Sequence, residues 1–105
     1  MADHYLAQNP RAAWRVYDGE AVIISPEDST LHTLNAVGTV IWEAADGKTQ
    51  LSAVVARICD EFEVELEVAA GDTQAFVEDL CRRGLLVLSE APHEALQEEF
   101  NGQER

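Results

Sequence analysis

The stretch LHTLNAVGTVIWEAADG, residues 31–47, decides the fold. Residues 31–34 read as a short strand that runs directly into Asn35. Asn35 is a good helix N-cap, because its side-chain oxygen can satisfy a free amide of the first turn. Val37, Val40, Ile41 and Ala44 then fall at i, i+3, i+4 and i+7, one face of a helix, and Asp46-Gly47 stops it. No catalytic group sits in this segment. A strand edge beside a helical layer suits the binding of an extended peptide.

Upstream, residues 14–17 and 20–25 are strand-like runs joined by Asp18-Gly19. A two-residue Asp-Gly link matches the twist of paired antiparallel strands. Residues 25–30, SPEDST, form a turn-rich loop. Residues 31–34 thus become the third strand of a small antiparallel meander, and residues 1–12 read as a flexible lead-in.

Downstream, Thr49 is placed as the N-cap of a second helix. Leu51, Val54, Val55, Ile58, Cys59 and Phe62 form its apolar stripe, the cleanest in the chain. Glu63-Val64-Glu65 breaks it. A third helix over residues 66–83 has Ala69, Thr73, Phe76, Val77 and Leu80 as its core face. Gly71 weakens that helix by about 1 kcal/mol relative to alanine, so an effective start near Asp72 is expected. Gly84 stands where a left-handed glycine ends a helix. Arg82 and Arg83 complement the helix dipole in the last turn. Residues 85–88 can form a short terminal strand. Beyond Pro92 the acidic stretch reads as a frayed helix or a disordered tail. The expected architecture is α+β with a winged-helix-like order, a three-stranded meander followed by three helices. The domain spans residues 13–88, with an acidic tail over 89–105. A three-stranded meander is marginal alone, and the helices supply its cover.

Composition narrows the function. The chain has 105 residues, 47% hydrophobic, with 20 acidic against 7 basic side chains and a net charge of −13. That charge suits solubility and a basic partner surface. It opposes nucleic acid and anionic membranes. No apolar run is long enough to span a bilayer, and residues 1–11 lack the regions of a signal peptide, so a cytoplasmic location is expected. Cys59 and Cys81 fall within helical stripes and read as small apolar residues. His4, His32 and His93 are scattered, so no zinc site is expected. There is no glycine-rich phosphate loop and no nucleophile beside a base, and no cofactor is expected. Glu61, Glu63, Glu65 and Glu67 read as a solvated turn. One alternative, by order and length, is a winged-helix DNA-binding regulator, and another is an adaptor subunit that binds only a protein partner. The acidic approach to the third helix argues against the regulator.

Several residues together resemble the PqqD-like proteins, or RiPP recognition elements. They are Leu34-Asn35 followed by Gly38 and Ile41-Trp42; the Asp46-Gly47 stop; the helix over residues 51–62; and Asp72, Phe76, Leu80 and Arg83-Gly84-Leu85-Leu86. The resemblance covers about two thirds of the chain, residues 16–86. It implies a winged helix-turn-helix fold and a non-catalytic role, as in pyrroloquinoline quinone (PQQ) biosynthesis. Such a protein binds the leader segment of a ribosomally made precursor peptide. It presents the leader to a modifying enzyme, a radical SAM enzyme in the quinone pathway and in related ones, or the leader peptidase of a lasso peptide. A monomer or weak homodimer is expected. The leader would lie as an added strand along Leu31, His32, Thr33 and Leu34. The facing helix would contribute Asp72, Ala75, Phe76, Asp79, Leu80 and Arg83. Physically, an open strand edge offers unpaired amides and carbonyls to an extended peptide.

Alternatives stay open at several of these positions. Leu31, Leu34 and Phe76 read equally as core residues. Arg83 is a dipole partner or an anchor for a leader carboxylate, and Asp79 is solvated or pairs a leader lysine. Trp42 lies off the strict stripe and either covers a core edge or faces a partner.

Overall fold

A computed structural model describes residues 4–91 of the chain. In order, the elements are β1 (Tyr5–Gln8), β2 (Ala13–Tyr17), β3 (Glu20–Ile24), β4 (Leu31–Thr33), α1 (Ala36–Ala44), β5 (Asp46–Gln50), α2 (Leu51–Phe62), α3 (Leu66–Arg82) and β6 (Leu86–Ser89). They build an α+β fold with two three-stranded antiparallel sheets, ordered β2-β3-β4 and β5-β1-β6.

The meander forms as its turn chemistry dictates. Asp18 and Gly19 both have positive φ, 52° and 78°, the pairing a tight hairpin needs. The next loop closes with Ser25 N–H donating to Thr30 C=O and Thr30 N–H donating to Asp28 Oδ1. Asn35 caps α1 as expected, with Gly38 N–H donating to its Oδ1 at 2.8 Å. Thr39 ties this helix to the sheet. Its buried hydroxyl accepts from Ala21 N–H and faces Leu34 C=O.

Two expectations are corrected. Residues 5–8, read as part of a flexible lead-in, form the central strand of the second sheet, between β5 and β6. Leu6 is fully buried there, and Asn9 N–H donates to Leu85 C=O. The reason is tertiary: four residues carry little pattern alone, but pairing on both sides satisfies their backbone. Thr49, read as a helix cap, lies in β5 instead, and its hydroxyl donates to Asp46 Oδ1. Gln50 precedes α2 without a side-chain capping bond.

The helices otherwise end where their sequences indicate. Glu63 adopts a left-handed conformation after α2. Gly84, at φ 76°, closes α3, with Leu85 N–H donating to Leu80 C=O and Gly84 N–H to Cys81 C=O. Gly71 lies within α3, which starts at Leu66 and not near Asp72. The core joins both sheets and all three helices through Leu6, Ile23, Ile41, Trp42, Val54 and Val77, among others. Trp42 is wholly buried and meets Trp14 edge to face, with centroids 5.9 Å apart. It therefore serves the core. Cys59 and Cys81 are free and half-buried, and burial pushes the Cys81 thiol up.

Residues 1–3 of the expected lead-in and 92–105 of the expected tail lie outside the described residues. Among the described residues, no helix is long and apolar enough to cross a membrane. None of them form a group of three or more metal-ligating side chains.

Candidate functional site

The site begins with the register of β4. Its residues Leu31, His32 and Thr33 face Ile24, Ile23 and Val22 of β3. On either side of this short ladder, Ser25 N–H donates to Thr30 C=O at 2.9 Å and Leu34 N–H donates to Ala21 C=O at 2.8 Å. Antiparallel rungs alternate between hydrogen-bonded and non-bonded pairs. His32 therefore bonds inward to Ile23. The N–H and C=O groups of Leu31 and Thr33 point the other way. Among the described residues, no strand pairs with that side, so β4 is an open edge.

Side chains alternate in the same register. His32 shares the inner face with buried Ile23. Leu31 and Thr33 lie on the outer face with Ile24 and Val22. Leu31 is 61% exposed and available to a partner. Leu34 is 6% exposed and packs inward opposite Ala21, so its side chain is core rather than contact surface.

Just beyond the end of β4, a cleft of about 380 Å³ separates the start of α1 from the middle of α3. Asn35, Val37, Gly38 and Ile41 line one wall, and Asp72, Ala75 and Phe76 the other. Three of the helix residues named from the sequence thus meet in one place. Phe76 is half-buried and presents part of its ring, while Asp72 and Ala75 are exposed. Leu80 is not part of the surface. It continues the buried row of Ala69, Thr73 and Val77 and is 3% exposed, because its side of α3 packs on the core.

Asp79 and Arg83 lie further along α3 and bind each other. Arg83 Nε donates to Asp79 Oδ2 at 3.0 Å, and Arg82 donates to Oδ1 at 3.2 Å. The Arg83 hydrogen bond, with the charge of both arginines, holds the Asp79 carboxyl below its usual range. Asp79 is therefore ionised at neutral pH. Because its folded-state value is depressed, its share of the pairing is complete above the ordinary carboxylate range and fades as pH falls through the lowered value. Both side chains are well exposed, so the pair is screened and exchangeable. Arg83→Glu sets a carboxylate beside Asp79 in an exposed last turn. It should leave the fold intact and weaken binding of an acidic peptide several-fold, more at low salt than at high salt. Calorimetry at two ionic strengths, with circular dichroism, measures both effects.

Sequence reasoning missed one wall of the cleft. Val37 and Ile41 read as core positions, and they do touch the core, but both also face the cleft. Asn35 read only as a cap. A glycine three residues after a helix cap was the available signal of close packing at this point.

The model of a family described as coenzyme PQQ synthesis protein D matches residues 20–86. No curated protein matches the chain. Among solved structures, TbiB1 in complex with the TbiA(beta) leader peptide is similar, with a TM-score of 0.71 and 25% identity. The match covers 76% of this chain and 93% of that one. Lasso peptide synthetase B1 complexed with the leader peptide shares the fold, with a TM-score of 0.67 and 22% identity. That match covers 78% of this chain and 96% of the other.

Proposed function

This chain belongs to the PqqD family, and from that premise we propose that it is a non-catalytic carrier of a precursor peptide's leader segment. The observation that carries this reading is the open edge of β4 beside an apolar cleft. The leader adds as a strand, bonding the outward groups of Leu31 and Thr33. In that register its residues opposite Leu31 and Thr33 face outward, and the one opposite His32 faces inward. An apolar leader side chain enters the cleft between Val37, Ala75 and Phe76. The likeness to TbiB1, which was solved with a leader peptide, supports leader binding as the role of this chain.

The carrier presents the bound leader to a peptide-modifying enzyme, a radical SAM enzyme in a pathway of the pyrroloquinoline quinone type. The outer face of the first sheet leaves Tyr17, Ile24 and Leu31 exposed for such a partner.

The test uses the precursor peptide encoded nearest this chain's gene. Calorimetry should show one peptide bound per chain, and mass spectrometry should show its mass unchanged after prolonged incubation. Absence of binding contradicts the carrier reading. A covalent change to the peptide without added enzyme contradicts the non-catalytic one.

A further inference from the structure

Gly38 stands in the first turn of α1, three residues after Asn35. A Cβ built on it would lie 2.9 Å from both Cε1 and Cζ of Phe76 and 3.3 Å from Asn35 Oδ1. Real Cβ atoms do not approach ring carbons so closely, so any side chain at position 38 displaces the Phe76 ring. The backbone gives no other reason for glycine here. Gly38 is helical and is not among the glycines with positive φ. Glycine is also a poor helix former. Asn35 cannot retreat freely either, because its Oδ1 accepts the capping bond from Gly38 N–H.

The direction in which the ring must move is also set. The buried side of Phe76 packs against the core cluster, and such interiors have no spare volume. The open side of the ring is the cleft, which Gly38 and Phe76 both line. A side chain at 38 therefore pushes the ring into the space a ligand would use.

We infer that Gly38 is a specificity-determining residue: lacking a side chain, it lets the Phe76 ring lie back against α1 and so sets the size of the apolar side chain the cleft admits. This rests on the proposed reading of the cleft as a peptide site. With glycine at 38 the cleft takes a branched aliphatic side chain, and with alanine only a smaller one. A misfit of a methylene or two in an apolar pocket changes affinity by about tenfold or more.

One arm of the test needs no leader peptide. Amide spectra of the wild type and of Gly38→Ala are titrated with N-acetyl-leucine N-methylamide and with its alanine analogue. In the wild type the leucine probe should shift the amides of Asn35, Gly38 and Phe76. In Gly38→Ala its affinity should drop about tenfold, while affinity for the alanine analogue is kept. Adding Phe76→Leu to Gly38→Ala should restore the leucine probe, which a merely structural role would not do. Phe76→Leu alone should favour a larger probe, N-acetyl-phenylalanine N-methylamide. That variant decides the matter if Gly38→Ala does not fold. The inference is overturned if the leucine probe binds Gly38→Ala as it binds the wild type or fails to shift the wild type. Equal loss of both probes, no rescue by Phe76→Leu, or an unchanged preference in Phe76→Leu alone also overturns it. The other arm repeats the comparison with the precursor peptide. If that peptide does not bind while the small probes behave as stated, the carrier reading fails and the role of Gly38 stands.

Discussion

Proline at Thr33 should weaken peptide binding by about tenfold to a hundredfold in a folded protein, whereas proline at His32 should mainly cost stability. The two positions differ in where their amides point. The Thr33 N–H faces the open side of β4 and would donate to the added strand. Removing it leaves a peptide carbonyl without a donor, a loss of about 1–3 kcal/mol, and the proline ring also stands in the way of the incoming strand. His32 N–H lies in the inner ladder to Ile23, inferred from the bonds that flank that rung. Its loss lowers stability by a similar ~1–3 kcal/mol and leaves the outer edge chemically unchanged. Calorimetry with the precursor peptide reports the first effect and urea unfolding the second. Equal affinity in Thr33→Pro and the wild type would place the peptide elsewhere.

Leu6→Ala should destabilise the fold by about 2–5 kcal/mol, the range for emptying a large buried aliphatic position. Leu6 has no exposed surface and joins the core that also holds Trp42 and Leu86. A small domain has a total stability of only about 5–15 kcal/mol, so this loss is a large share. Urea denaturation gives the figure directly. A change under 1 kcal/mol would mean that β1 is a dispensable attachment and that the core closes without it.

These two predictions mark what the sequence reveals and what it hides. The meander and the three helices are legible because local chemistry and global packing agree there. Asp18-Gly19, the Asn35 cap, the stripe from Leu51 to Phe62 and Gly84 each satisfy a local rule that the fold also needs. The terminal strand is legible too, but β1 and β5, the other strands of the second sheet, are illegible for the opposite reason. The β5 sequence DGKTQ has almost no strand preference, and β1 offers only YLAQ. Each becomes a strand because the other is beside it, a context that no window along the chain contains. Register between them is also irregular at Leu6 and Ala7, which removes the simple alternation.

The site divides in the same way. The strand 31–34 is legible from its own residues, the row Asp72, Ala75 and Phe76 comes from family resemblance, and the structure brings them to one edge and one cleft. Leu34 and Leu80 fell inside because both lie on the buried phase of their own elements. Trp42, ambiguous along the sequence, is wholly buried in the core and meets Trp14 of strand β2. Arg83 read as a dipole partner or a leader anchor and Asp79 as solvated or a lysine partner, but four residues apart on a helix they pair with each other. A peptide that uses either must first compete for it.

The central claim is that a leader strand adds to the outward groups of β4, and amide hydrogen exchange tests it most directly. Without peptide, the amides of Leu31 and Thr33 should exchange freely while that of His32 is protected by Ile23. With saturating precursor peptide, Leu31 and Thr33 should become protected, with His32 little changed. Binding that leaves Leu31 and Thr33 exchanging as fast as before would contradict the account.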